Sequence, residues 1–174
     1  EALVAAANTA AAAGRRGDVA VAAWPMETEL PPIEQTLRAG FGEPSLIELH
    51  GFELSDPAPE AGATVQLTLL WRAVVDVDTV YDVLVHLEDD AGNIVGQADG
   101  SPTGGFRLTT SWRAGEVIVD ERALQLPTEP GSYDLWIGLY GSDSLVRLTA
   151  YRDGEPQPDN RVLLTTLTVG ASDG

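Results

Sequence analysis

The chain has 174 residues, a length that fits one domain of ordinary size, or one domain with an appendage, and that can bury a real core. Its formal net charge of −17 argues against nucleic-acid binding, because phosphate recognition needs clustered cations. It has no cysteine, which excludes disulfides and thiolate metal sites. No apolar run approaches the roughly 20 residues of a membrane span, so we predict no membrane insertion by this chain.

The first forty residues differ in composition from the rest and are predicted to form a partly helical N-terminal arm. Residues 1–16 are rich in alanine, the residue with the highest helix propensity. Val19–Trp24 alternates in a way that predicts a short strand. Pro32–Ala39 predicts a short helix, with a proline at its start and Gly40 at its end.

From residue 41 the pattern changes to short strands separated by turns. Ser45–Leu54 is predicted as a strand with a bulge at Gly51. Thr64–Val74 alternates, with Val65, Leu67, Leu69, Trp71 and Ala73 on one side, which is typical of a strand with one buried face. Tyr81–Glu88 is the next predicted strand, and the hairpin turn after it places Gly92 where a positive φ is needed.

The second half continues this pattern. Predicted strands are Ile94–Asp99, a short edge at Arg107–Thr110, Glu116–Leu126, Ser132–Tyr140, Leu145–Tyr151 and Val162–Val169. A glycine-rich loop at Gly100–Gly105 and a corner at Trp112–Glu116 interrupt them. Eight or nine strands at this spacing predict an all-β fold, an antiparallel, immunoglobulin-like or jelly-roll-like β-sandwich over residues 41–170, followed by a tail at 171–174.

Residues 41–170, about three-quarters of the chain, contain several motifs in a distinctive order. These are Leu49–Phe52, Leu67–Trp71, Tyr81–Leu87, Gly96–Gly100, Thr110–Asp120, Gly131–Tyr133 and Gly138–Tyr140. In these motifs the chain resembles a β-sandwich domain of Chloroflexi-type bacteria, found in envelope proteins and at the C-terminus of membrane glycosyltransferases of the mannosyltransferase-like superfamily. The resemblance implies an extracytoplasmic bacterial protein of the cell envelope. It attaches no activity to residues, and the arm at 1–40 departs from the pattern because it is not a transmembrane region.

Catalytic and metal-binding patterns are sparse. His50 and His86 are the only histidines, so a site of several histidine ligands is impossible and any Ser-His-Asp arrangement would need one of these two. Ser111, the candidate nucleophile, has no elbow motif around it. His86 is interpreted as a structural residue. We therefore predict a non-catalytic protein without a cofactor.

Two groups of acidic residues are candidate calcium ligands, although neither has the spacing of a known calcium loop. The first is Asp89, Asp90 and Asn93, and the second is Asp76, Asp78 and Asp82. We interpret both groups as ordinary turn residues, with calcium binding by the acidic loops as the open alternative.

Four aromatic residues are candidates for stacking on sugar rings. Trp71 alternates with leucines and is predicted to lie in the core. Trp112 is interpreted as a corner plug, a side chain packed over the end of the sandwich. The alternative is a ligand platform, an indole face on which a sugar ring stacks. Trp136 and Tyr140 fall on the strand face opposite Leu135 and predict an exposed aromatic patch.

Two functional hypotheses follow. In the first, the chain is an extracytoplasmic interaction module that binds glycan or cell-envelope partners through Trp112, Trp136 and Tyr140. In the second, it is a structural subunit of a surface assembly or filament. Its arm, through Val19, Val21 and Trp24, then docks on a neighbouring subunit and makes a homo-oligomer, for example by adding a strand to that neighbour's sheet edge.

Overall fold

The structure is a computed structural model that describes residues 26–171. Ten strands dominate it: β1 (Gln35–Phe41), β2 (Ile47–Leu54), β3 (Thr64–Ala73), β4 (Tyr81–Glu88), β5 (Ile94–Gln97), β6 (Val117–Gln125), β7 (Gly131–Gly141), β8 (Ala150–Arg152), β9 (Glu155–Pro156) and β10 (Val162–Val169). Three short 3₁₀ turns, Pro102–Gly105, Thr109–Ser111 and Pro158–Asn160, are the helical elements of this part of the chain. None of them is long or apolar enough to cross a bilayer.

The strands form two antiparallel sheets packed as a sandwich, which confirms the all-β prediction. The six-stranded sheet has the order β6-β3-β2-β1-β8-β9, and the four-stranded sheet has the order β10-β7-β4-β5. Their inner faces enclose one core of apolar side chains. The alternation of β3 places Leu67, Leu69 and Trp71 inside, as predicted, and Trp71 meets the Phe41 ring edge-on at 5.7 Å.

The bulge predicted at Gly51 is confirmed. The register of β2 against β3 shifts between Leu49 and Gly51. The positive φ predicted for Gly92 in the β4–β5 hairpin is also present, at 79°. The positive φ of Gly92 is a local requirement that glycine meets at little cost, whereas Gly51 is required by the close approach of Gln35 and Ile33.

The predicted helix at Pro32–Ala39 is wrong, because this segment enters β1. Strand β1 pairs with β2 and also with β8. An isolated eight-residue helix is marginal, whereas a strand that pairs with β2, and at its end with β8, satisfies backbone groups by hydrogen bonds to its neighbours. The sandwich therefore begins at Gln35 and not at residue 41. The predicted helix at 1–16 and the predicted strand Val19–Trp24 lie outside the described residues.

Two other predicted strands change. The edge predicted at Arg107–Thr110 is wrong, because a 3₁₀ turn forms at Thr109–Ser111. The Thr109 hydroxyl accepts a hydrogen bond from the Tyr81 backbone N–H and donates one to the Thr79 carbonyl. A side chain therefore takes the place of the backbone partner that a neighbouring strand would supply. The predicted strand Leu145–Tyr151 shortens to β8, and the predicted loop after it contains β9, which makes ten strands in the described part.

Residues 26–34 lie against the outer side of the six-stranded sheet. The Glu27 carbonyl accepts a hydrogen bond from the Val117 backbone N–H at 2.7 Å, at the free side of edge strand β6. Farther along, Ile33 comes so close to Gly51 that a Cβ added to Gly51 would lie 2.7 Å from the isoleucine Cγ2. The segment thus crosses its own sandwich from β6 to β2 before β1 begins.

Candidate functional site

The candidate site is the side of the four-stranded sheet that points away from the core, here called the outer face. Strand β4 contributes Asp82, Leu84, His86 and Glu88 to it, and β7 contributes Asp134, Trp136, Gly138 and Tyr140. The register places Tyr140 directly opposite Asp82 and Trp136 directly opposite His86. Directly opposed side chains on one face have Cβ atoms about 4.5–5.5 Å apart, so each aromatic ring touches a titratable neighbour.

Trp136 is partly buried, and an arginine side chain lies over its ring. The guanidinium of Arg161 lies over the ring, 5.0 Å from the centroid. The same guanidinium forms an ion pair with Glu88, the next outer-face residue of β4. The indole Nε1 is buried and has no hydrogen-bond partner in the described part of the chain.

Tyr140 is also partly buried, and it has Asp82 opposite it on β4 and Arg147 as its bridge partner on the other side. The Ser101 hydroxyl donates a 2.6 Å hydrogen bond to one oxygen of Asp82, which fixes that carboxylate opposite the tyrosine. Burial raises the pKa of Tyr140 above its usual value, and the negative charges of Asp82 and Asp99 raise it further. The two carboxylates are therefore close enough to act electrostatically on the phenol.

The continuous aromatic patch predicted for Trp136 and Tyr140 does not form. Gly138 lies between them on β7, and a Cβ there would be 3.2 Å from the Asn160 carbonyl oxygen. The backbone before β10 therefore covers the space between the two rings. Leu84, opposite Gly138, is only 3% exposed for the same reason. The outer face offers two separate aromatic positions.

His86 connects these two positions. Its Nε2 lies 3.1 Å from one oxygen of Asp99, whose other oxygen accepts the Val85 backbone N–H at 2.7 Å. Its Nδ1 is buried without a partner among residues 26–171. His50 contacts Glu48 at 3.0 Å, on the other sheet. Neither histidine is hydrogen-bonded to a hydroxyl in the described chain, so both are histidine–carboxylate pairs.

Trp112 lies inside the molecule and is 0% exposed, which confirms the corner plug and overturns the alternative of a ligand platform. Its Nε1 donates to the Arg107 carbonyl at 3.2 Å. The buried Glu116 carboxylate holds the corner, because it pairs with the Arg107 guanidinium and accepts the Arg113 backbone N–H. An indole enclosed in this way presents no face to a sugar.

Two carboxylates of the acidic loops accept hydrogen bonds from the protein itself. One oxygen of Asp89 accepts the backbone N–H groups of Ala91 and Asn93, and the Asn93 side chain donates to both oxygens. These hydrogen bonds, above all those from Asn93, lower the pKa of Asp89. Asp76 accepts the Ala114 backbone N–H in another part of the molecule. Over residues 26–171, no group of three or more acidic or histidine side chains is placed to hold a metal ion.

Sequence reasoning missed a buried ion pair on β6. Asp120 is 0% exposed and binds the Arg122 Nε at 2.8 Å. The guanidinium also donates to the carbonyls of Ala98 and Gly100, and Asp120 accepts the Thr103 backbone N–H. A signal was available, because both charges share the phase of apolar residues in β6 and must point inward.

The comparisons with known proteins give no relatives. No protein-family model matches the chain. No curated protein matches it either. The resemblance to the envelope-protein domain therefore stays a prediction from the motifs.

Proposed function

We propose that the chain is a non-catalytic, extracytoplasmic interaction module of immunoglobulin-like or jelly-roll-like architecture that binds a glycan or cell-envelope partner on the outer face of the four-stranded sheet. The observation that carries this proposal is a concentration of unsatisfied nitrogens. Buried side-chain polar atoms without a partner are few in the described chain, and three of the six are His86 Nδ1, Trp136 Nε1 and Arg161 Nε, all on this face. Such groups are costly unless a partner satisfies them.

Tyr140 supplies the apolar part of the proposed contact. A partly exposed ring can lie against the C–H face of a sugar, while nearby polar groups bind its hydroxyls. Asp82 and Asp99 are acceptors beside the ring, and the Ser101 hydroxyl orients Asp82. Aromatic surface with a few fixed polar groups is the usual composition of a small-ligand site.

The arrangement of the two histidines supports a binding role over hydrolysis. A Ser-His-Asp mechanism needs a histidine that contacts both a carboxylate and a hydroxyl. His86 contacts Asp99, and His50 contacts Glu48. Neither histidine is hydrogen-bonded to a hydroxyl group among residues 26–171. We therefore give the two histidine–carboxylate pairs a structural role.

The experiment is isothermal titration calorimetry of the full chain against a panel of neutral, acidic and amino oligosaccharides. We expect binding by at least one class, and Tyr140→Ala should weaken it about tenfold or more, because loss of an aromatic contact near 1.4 kcal/mol is one decade in affinity. Tyr151→Ala is the matched control, since Tyr151 is a similarly half-buried tyrosine on the other sheet. No heat with any class, or equal losses in both variants, would contradict the proposal.

A further inference from the structure

Strand β6 is an edge of the six-stranded sheet and has a strand, β3, on one side only. Successive residues of a strand direct their backbone groups alternately to its two sides. The Leu126 N–H donates to the Ala63 carbonyl on the β3 side, so the even-numbered residues of β6 bond toward β3. The Val117 N–H donates to the Glu27 carbonyl, so the odd-numbered residues face the free side of the sheet.

The free side of β6 has backbone groups without partners. The N–H and C=O groups of Val119, Glu121 and Ala123 form no hydrogen bond on this side with any of residues 26–171. Unpaired groups in such a row are a template on which another strand can form. The inward-pointing side chains of Asp120 and Arg122 bind the glycine-rich loop and leave this backbone open.

Two cavities follow one another along this edge and leave room for an added strand. Both have β6 on one side and residues of the glycine-rich loop on the other, and they open at residues 117–119 and 121–123. The Arg107 Nε, which belongs to the wall of the first cavity, is buried without a hydrogen-bond partner in the described chain. A backbone carbonyl of a strand placed in this cavity would satisfy it.

The chain itself brings a segment to this edge. Residues 19–25, which lie outside the described residues, directly precede the segment in which Glu27 bonds to Val117. A strand that runs back from Glu27 antiparallel to β6 places residue 25 opposite Val119 and residue 21 opposite Ala123. A parallel strand would leave β6 at once, because Val117 is the first residue of β6.

The side chains of residues 19–24, VAVAAW, suit this position. They include no charge and no glycine. In the antiparallel register Val21 shares the outer side with Val119, which is 46% exposed, whereas Ala20 and Ala22 share the side of the glycine-rich loop, where small side chains fit. Attachment to the same chain also gives the segment a high effective concentration at β6, which a second chain lacks.

We propose that residues 19–25 add a seventh strand to the six-stranded sheet of their own chain, antiparallel to β6. The occupant of the β6 edge is then the arm of the same molecule, and the arm is not free to dock on a neighbour. This docking is independent of the proposed glycan binding, which concerns the other sheet.

Amide hydrogen exchange of the full chain, followed by NMR, tests the proposal without any substitution. We expect the N–H groups of Val119, Glu121 and Ala123 to exchange at least about tenfold more slowly than unprotected amides, as the hydrogen-bonded Val117 N–H should. Exchange of all three at the rate of an unprotected amide, with Val117 protected, would overturn the proposal.

Two proline variants in the arm test the register. Val21→Pro removes an N–H that faces β6 and should speed exchange at Glu121 and Ala123 about tenfold. Ala22→Pro is the matched control, because the N–H of residue 22 points away from β6, and it should change these rates less than about twofold. Equal effects of the two prolines, or no effect of Val21→Pro, would overturn this pairing.

The same measurement at two protein concentrations identifies the chain that supplies the strand. Protection of Val119 and Glu121 that does not change on dilution supports docking within one molecule. Protection that falls on dilution would overturn it, because the strand would then come from a second copy of the chain.

Discussion

At the scale of single residues, Gly51 shows how a position can be fixed by a distant segment. A Cβ at this position would lie 2.5 Å from the Gln35 carbonyl oxygen and 2.7 Å from the Ile33 Cγ2. Both contacts come from the segment that crosses the sheet and enters β1. The glycine therefore serves a bulge and a close approach at the same time.

We predict that Gly51→Ala lowers the free energy of unfolding by about 1–3 kcal/mol, because backbone and a packed side chain must move to admit the methyl group. Urea unfolding followed by tryptophan fluorescence measures this. Gly170→Ala is the control, because the atom nearest to a Cβ there would be the Pro59 carbonyl oxygen at 3.8 Å, so little change is expected. Equal stability of Gly51→Ala and the parent chain would show that the crossing segment is not held there.

At the scale of elements, two inward-pointing charged residues connect β6 to the rest of the sandwich. Asp120 and Arg122 lie on the core side of an edge strand, where they bind the glycine-rich loop after β5. The loop thereby closes the side of the sandwich between the two sheets. Inward-pointing charges on an edge strand also discourage pairing with another chain.

We predict that Arg122→Met costs about 3–5 kcal/mol of stability, since it leaves Asp120 as a buried charge without its partner. The exposed pair of Arg152 and Asp153, 4.0 Å apart, provides the control, and Arg152→Met should cost at most about 0.5 kcal/mol. Chemical denaturation of both variants gives the comparison. A small effect of Arg122→Met would mean that water or local rearrangement satisfies Asp120.

At the scale of the whole molecule, each sheet edge in the described chain is short or protected. Strand β9 has two residues and includes Pro156, and β5 has four residues. The ends of β10 are contacted by Arg152, which donates to the Leu163 carbonyl, and by Pro59, which accepts the Gly170 backbone N–H. These features are the ones by which natural sheets avoid edge-to-edge association.

We therefore predict that the chain is a monomer, in contrast to the alternative of a subunit that assembles by strand addition. Light scattering coupled to size-exclusion chromatography, over a range of protein concentrations, should give the mass of one chain. Val21→Asp, in the segment proposed to dock on a neighbour, should leave that mass unchanged. A dimer or larger species that Val21→Asp dissociates would restore the structural-subunit hypothesis.

The sequence by itself determined the strands and the direction of their core faces. Alternation with a period of two reports which side of a strand is buried, and it does so within a single strand, as in β3 and β7. Turn glycines such as Gly92 were equally accessible, because a positive φ is a local requirement.

Only the tertiary structure decided what covers each face and which segments pair. Residues Gln35–Phe41 form a strand because they pair with β2, and at Gly40 and Phe41 also with β8, which no pattern within the segment reveals. Trp136 is covered because Arg161, from a distant part of the chain, reaches across Gly138 to Glu88, whereas Tyr140 on the same face has Asp82 opposite it on β4 and Arg147 on its other side. Alternation fixes the side of a strand, but the occupancy of that side depends on contacts between residues far apart in the sequence.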